Sequence, residues 1–205
     1  MADCLSCYLT STSAMSDDED EPLQEDARIV QLYNFADKRC DEDGKYTGDA
    51  KEFSDYVESL GTDSSIVNGS MMMNRPVARA YFIVSALIDS DGEEEATVAE
   101  CINLKMKPLK ACVESGGEEA AKSLLAALES YVSRMEDGPS QAKNVKGYAE
   151  VLKHLWEWEI VDEDTLKAWV EDERAGRAFD VPVAFARKLR EGAGQVFLQW
   201  LEEGE

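Results

Sequence analysis

Histidine is almost missing from this 205-residue chain: His154 is the only one. That excludes His-rich metal centres and paired-imidazole chemistry, and His154, set between Lys153 and Leu155 in a helical pattern, reads as an ordinary helix residue. Cations are scarce too. Lys and Arg number 21 against 43 Asp and Glu, a formal net charge of −22. Chains that grip nucleic-acid phosphates or anionic lipid need clustered Lys and Arg, so neither a nucleic-acid nor a membrane partner is expected. No run approaches the ~18 apolar residues of a membrane span. The opening MADCLSCYLTSTSAMSDDEDEP lacks the basic start and apolar stretch of a secretory signal. Five scattered cysteines, an odd number, suit reduced thiols in the cytoplasm. Cys4-Leu-Ser-Cys7 has metal-ligand spacing but no second pair, and a structural zinc needs four ligands. No metal and no cofactor is expected.

Period-two alternation is also lacking, so strands are not expected. Residues 1–26 form an acidic leader (SDDEDEPLQED at its end) too poor in apolar side chains to fold, and read as disordered. From Ala27 onward the apolar residues recur at three- and four-residue steps. Ile29, Leu32, Tyr33 and Ala36 mark a first helix; Phe53, Tyr56, Val57 and Leu60 mark a second, ended by Gly61. A third starts near Pro76 and is apolar nearly all round, with Phe82, Ile83 and Leu87 among its core residues. A fourth opens after Asp91-Gly92 and is interrupted at Pro108; a fifth follows Gly116-Gly117 and carries Leu124, Leu125 and Leu128. Gly138-Pro139 introduces a sixth with Tyr148, Leu152, Leu155 and Trp156. Asp162 and Asp180 are candidate N-caps of the last two, which bear Trp169 and Phe197. The prediction is an all-α domain over residues 27–205, of about eight helices stacked as antiparallel pairs in a short superhelix.

Catalytic signatures are missing. No phosphate loop is present, and Gly192-Ala193-Gly194 reads as a close-packing point inside the last helix. The informative stretch is VLKHLWEWEIVDEDTLKAW, from Val151 to Trp169. There Trp156 and Trp158 alternate with Glu157 and Glu159, and Asp162, Glu163 and Asp164 precede Trp169. Carboxylates attract ammonium groups while indole rings take aliphatic stems and offer cation–π contacts, a surface suited to lysine-rich peptides. Trp156 and Trp169 also lie at core spacings.

The same stretch resembles the second aromatic/acidic box of the C-terminal domain of eukaryotic translation initiation factor 5, a domain shared with the epsilon subunit of initiation factor 2B and the factor-5-mimic proteins. LLAALESYV, with Glu129, resembles the first box, and FLQWLEE, with Trp200, Glu202 and Glu203, resembles the closing stretch. RIVQLYNF, from Arg28, resembles the start of the domain. The resemblance implies a HEAT-like fold and an adaptor rather than an enzyme. Its partner surface would hold the lysine-rich segment of the beta subunit of initiation factor 2, and contacts with initiation factors 1, 3 and 4G would follow. Nothing here resembles factor 5's separate GTPase-activating domain with its arginine and zinc ribbon. Two other activities go with the same domain: guanine-nucleotide exchange of the 2B-epsilon type, and competition with factor 5 by a mimic.

Overall fold

The computed structural model describes residues 26–62, 66–67, 71–72, 75–88, 96–116, 119–172 and 181–204. The leader to residue 25, Cys4 and Cys7, the Asp91-Gly92 turn, Gly117 and Asp180 lie outside these. The helices are α1 (Ala27–Asp37), α2 (Ala50–Ser59), α3 (Arg75–Leu87), α4 (Val98–Leu104), α5 (Met106–Ser115) and α6 (Ala120–Ser133). They continue as α7 (Pro139–Lys146), α8 (Tyr148–Glu157), α9 (Glu163–Glu171), α10 (Val183–Leu189) and α11 (Gln195–Glu203), the last two joined by a π-helical segment, Arg190–Gly194. The fold is all-α, as the apolar spacing predicts, in the manner of a HEAT-like domain. Among the described residues the departures are a two-residue antiparallel pair, β1 (Ile66–Val67) and β2 (Met71–Met72), and an isolated bridge between Cys40 and Tyr46.

Three expected helices are each divided in two, which is why eleven are seen among the described residues where about eight were expected. The fourth breaks at Lys105, not at Pro108. Pro108 takes a place in the first turn of α5, where no intrahelical acceptor awaits its missing N–H. Gly147 separates α7 from α8, and the π-helical segment divides the last helix.

Local capping sets the boundaries. Asp26, the last residue of the expected leader, caps α1 by accepting a hydrogen bond from the Arg28 N–H at 2.9 Å. Thr97 and Glu100 form a reciprocal capping box on α4. Gly61, beyond the end of α2, has φ +64°, the left-handed conformation that suits a residue without Cβ.

Helix α3 is buried on almost every side, with Val77, Phe82, Ile83 and Val84 each at most 3% exposed. It packs against α1 and α6, while α2 packs on α5 and α4 on α8. All eight expected core residues, Phe82, Ile83, Leu87, Leu125, Leu128, Leu152, Leu155 and Phe197, are buried. Tyr33, which shares the α1 spacing, is instead exposed at the margin of its apolar face. Among the described residues no helix is long and apolar enough to cross a membrane.

One polar side chain inside this apolar packing ties two helices together. Asn144 on α7 is buried, accepts from the Val98 N–H at 2.8 Å and donates to the Ser140 carbonyl at 3.0 Å. It thereby satisfies a first-turn donor of α4 that has no partner within its own helix. Asn144→Ala is expected to destabilise the domain by ~1–3 kcal/mol, the cost of a buried donor left unpaired. Urea unfolding would show this as a lowered midpoint at unchanged slope.

Candidate functional site

The expected aromatic/acidic residues separate into a buried set and a surface set. The buried set centres on Glu129, from α6, which is 3% exposed. Its Oε2 accepts from Arg190 Nη2 at 2.7 Å and from the Trp169 indole Nε1 at 3.3 Å. Arg190 also donates to the Trp169 and Asp172 carbonyls, and its guanidinium lies 4.8 Å from the centre of the Trp169 ring. Tyr148 stacks on Trp169 at 5.9 Å, and burial together with the Glu129 carboxylate pushes its phenol well above the ordinary range. Glu129 and Trp169, which the resemblance to the first and second boxes assigned to the partner surface, are instead buried, and they hold α6, α8, α9 and the π-helical segment together. Taking ions out of water is costly, and these contacts offset it in part, since Glu129 Oε1 and Arg190 Nε are buried without a hydrogen-bond partner.

The surface set surrounds a cleft of about 440 Å³ between α8, α9 and α11. Trp156 and Trp200 meet edge to face at 5.5 Å, 84° between ring planes, and Trp200 continues onto the buried Phe197 at 5.9 Å. Leu198 and Leu201 add apolar lining. From α9 come Glu163, Lys167 and Glu171, which share one helix face through their four-residue spacing; from α11 comes Glu202. Aromatic rings half-buried beside exposed carboxylates is the chemistry anticipated from the sequence, with Trp156, Glu163, Trp200 and Glu202 brought together.

The other expected residues lie outside this cleft. Trp158 and Glu159 end α8 in a Schellman turn: the Ile160 N–H reaches the Leu155 carbonyl, and the Glu159 N–H reaches that of Trp156, both at 2.9 Å. Glu159 occupies the left-handed position of this turn, φ +53°, usually given to glycine. Lys110 of α5 covers the helix end, donating to the Trp158 carbonyl at 2.9 Å and pairing with Glu159 at 3.5 Å. Glu157 faces Lys153 at 3.9 Å, and Asp164 is exposed on α9. Glu203 accepts from Gln199 at 2.8 Å.

Sequence reading missed Lys167, Glu171, Leu198, Leu201 and the part played by Arg190. The four-residue spacing of Glu163, Lys167 and Glu171 was the available signal. Gly194 does pack closely, since a Cβ there would come within 3.0 Å of Val170 Cγ2, whereas Gly192 has open space around it. Among the described residues no group of His, Cys, Asp and Glu is placed to hold a metal ion.

Two expectations follow from these contacts. Arg190→Met or Glu129→Leu alone strands the opposite charge, and each should lower stability by ~3–5 kcal/mol, whereas the double variant should recover much of the loss; chemical unfolding of the three proteins measures this. Asp162 caps α9, accepting from the Thr165 N–H at 2.7 Å, and this holds its carboxyl below the ordinary 3.8. Its native value is depressed, so its stabilisation is complete above the unfolded value and is lost as pH falls through the native one. Asp162→Asn caps without titrating. The stability difference between wild type and this variant should be constant above about pH 5 and shift in favour of Asn below about pH 4, read from melts across that range.

No family model matches the chain, and no curated protein matches it. Among solved structures, one described as "The C-terminal Domain of Translation Initiation Factor 5 at low pH" superposes on it with a TM-score of 0.55, covering 88% of this chain and 94% of that one at 16% identity. At that identity the likeness is one of fold: the chain has the fold of the initiation factor 5 C-terminal domain.

Proposed function

We propose that this protein is an adaptor of translation initiation whose cleft between α8, α9 and α11 captures a lysine-rich segment, and that the segment belongs to the beta subunit of initiation factor 2. In this reading the chain acts in the cytoplasm by binding and performs no reaction of its own. Initiation factors 1, 3 and 4G are further partners in the same assembly.

One observation carries the reading: the paired indoles of Trp156 and Trp200 stand beside the exposed carboxylates of Glu163, Glu171 and Glu202 on a chain of net charge −22. A lysine side chain has both things this lining can use, an aliphatic stem and a cationic end. The rings and leucines take the stem, and the carboxylates take the ammonium. Summed over the whole surface, the negative field raises the encounter rate of a cationic segment before any of these contacts form. The likeness to the factor 5 domain supplies the biological setting.

Glu163→Gln, Glu171→Gln and Glu202→Gln combined should weaken binding of a lysine-rich peptide by about ten-fold or more, since each exposed ion pair contributes up to ~1 kcal/mol. The fold should persist. Wild-type affinity should also fall steeply between low and physiological salt, as charges are screened over ~8–10 Å. Calorimetric titration with the factor 2 beta tail tests both. Unchanged affinity in a folded triple variant, or binding indifferent to salt, would overturn the proposed cleft.

A further inference from the structure

Cys40 and Lys105, 65 positions apart in the chain, are brought into contact by the packing of one turn on a helix break. Cys40 closes the turn that follows α1, its N–H on the Asp37 carbonyl at 3.0 Å, and forms the isolated bridge with Tyr46. The Tyr46 N–H reaches the Leu104 carbonyl, also at 3.0 Å, so this loop is tied to the end of α4. Lys105 is the residue at which α4 stops and α5 begins, with φ −116° and ψ 18°. Its ammonium donates to the Cys40 sulfur at 2.6 Å, and the Cys40 S–H donates to the Ala36 carbonyl at 3.2 Å. In a chain with 43 acids to 21 bases, Lys51, Lys122 and Lys167 each pair with a carboxylate within one turn of their own helix. Lys105 instead takes a thiol. Cys40 is half-buried, whereas Cys101 and Cys112 are buried, so of these three Cys40 is the one a solute can reach. Burial also pushes the Cys112 thiol up to about 12, which suppresses its reactive thiolate.

We propose that Cys40 and Lys105 form an oxidative modification site, at which hydrogen peroxide converts the pair into a covalent sulfur–nitrogen link, a sulfenamide. In the first step the Cys40 sulfur attacks one peroxide oxygen and the O–O bond breaks. The departing hydroxide takes the thiol proton and leaves as water, and Cys40 becomes a sulfenic acid. In the second step the Lys105 nitrogen, after giving one ammonium proton to solvent, attacks the sulfur. The S–O bond breaks as the S–N bond forms, and the hydroxyl leaves as water with a proton from the nitrogen. In total one thiol, one amine and one peroxide give one S–N link and two waters; the sulfur loses two electrons and the peroxide gains them. A lysine in solution is too seldom neutral to compete for a sulfenic acid, but a nitrogen held against the sulfur reacts at high effective concentration. The link joins the turn after α1 to the α4–α5 break across those 65 positions, and constrains the unfolded chain as a disulfide does.

The experiment treats the full chain with a small molar excess of hydrogen peroxide and maps its tryptic peptides by mass spectrometry, beside Lys105→Arg and Cys40→Ser. Arginine keeps the charge and a donor toward the sulfur, but its guanidinium stays protonated and does not condense. Wild type should give two peptides joined between Cys40 and Lys105, uncleaved after Lys105, lighter than their sum by about 2 Da and separated by dithiothreitol. Cys40→Ser should give no such pair. Lys105→Arg should give none either, and its Cys40 should instead be labelled by dimedone, which traps sulfenic acids. The linked wild type should unfold at a higher urea midpoint than the untreated protein, a gain lost on reduction and missing in Lys105→Arg. Peroxide that leaves Cys40 a thiol, or that carries it to a sulfenic or sulfinic acid with no link to Lys105, overturns the proposal. A link at Cys40 that persists in Lys105→Arg is a disulfide to another cysteine and overturns it equally.

Discussion

Between Glu129 of α6 and Arg190 of the π-helical segment, a 2.7 Å contact has to offset the removal of two full charges from water. Desolvation costs several kcal/mol for each ion, and a bare pair seldom recovers it. Here the guanidinium also donates to two main-chain carbonyls and faces the Trp169 ring, and the carboxylate takes the Trp169 indole N–H. All of these contacts run to α9 and its C-cap residue Asp172, from Arg190 of the π-helical segment and Glu129 of α6, so the pair is fully contacted only when α6, α9 and the π-helical segment are all in place. The ion pair thus makes the C-terminal helices cooperative. The cleft depends on this, because α9 and α11 supply its walls and the π-helical segment that leads into α11 packs on α9 at Arg190 and Gly194.

The π-helical segment belongs to the same constraint. A wider turn places an extra residue in the helix and changes the direction in which everything after it points. Arg190, at the start of the segment, is directed into the core, and Gly194, at its end, passes against Val170 without a Cβ. After it, α11 sends Phe197 inward and leaves Trp200, Leu201 and Glu202 around the cleft. The charged pair sits where α6, α9 and the π-helical segment converge.

Legibility in the sequence followed the physics of each feature. Apolar spacing is a strong signal, so the all-α class and core residues such as Phe82, Leu128 and Leu155 could be read directly. Helix breaks were read less well, because Gly147 interrupts the helix without any change in hydrophobic period and Pro108 proved compatible with a first turn. Glu129 was the most deceptive residue. One glutamate in an acidic chain reads as a solvated surface group, and only the tertiary placement of Arg190, 61 positions later, makes it a core residue. Trp156 and Trp200 were legible as aromatic/acidic residues, but their edge-to-face meeting was not, since it brings together two distant helices. Glu171 and Lys167 were overlooked because charges at four-residue spacing are common on solvated faces.

The negative charge of the whole chain and the chemistry of the cleft act over different distances. A net charge of −22 draws any cationic segment toward the protein, but beyond about 10 Å it is screened and carries no information about sequence. Selection begins only where ligand atoms touch side chains. Trp200 is the side chain at which both ranges meet: its ring joins Trp156 at the cleft wall and touches the buried Phe197 and the Lys153 ammonium away from the cleft. Anchored from behind, it offers a preorganised aromatic face and loses little conformational freedom when a stem settles on it. In the proposed capture of a lysine-rich segment, a loosely held indole in the same field would attract the segment equally and retain it less well. The buried constraint at Arg190 and the exposed chemistry at Trp200 are ten residues apart on one helical run, so the element that stabilises the core also presents the cleft.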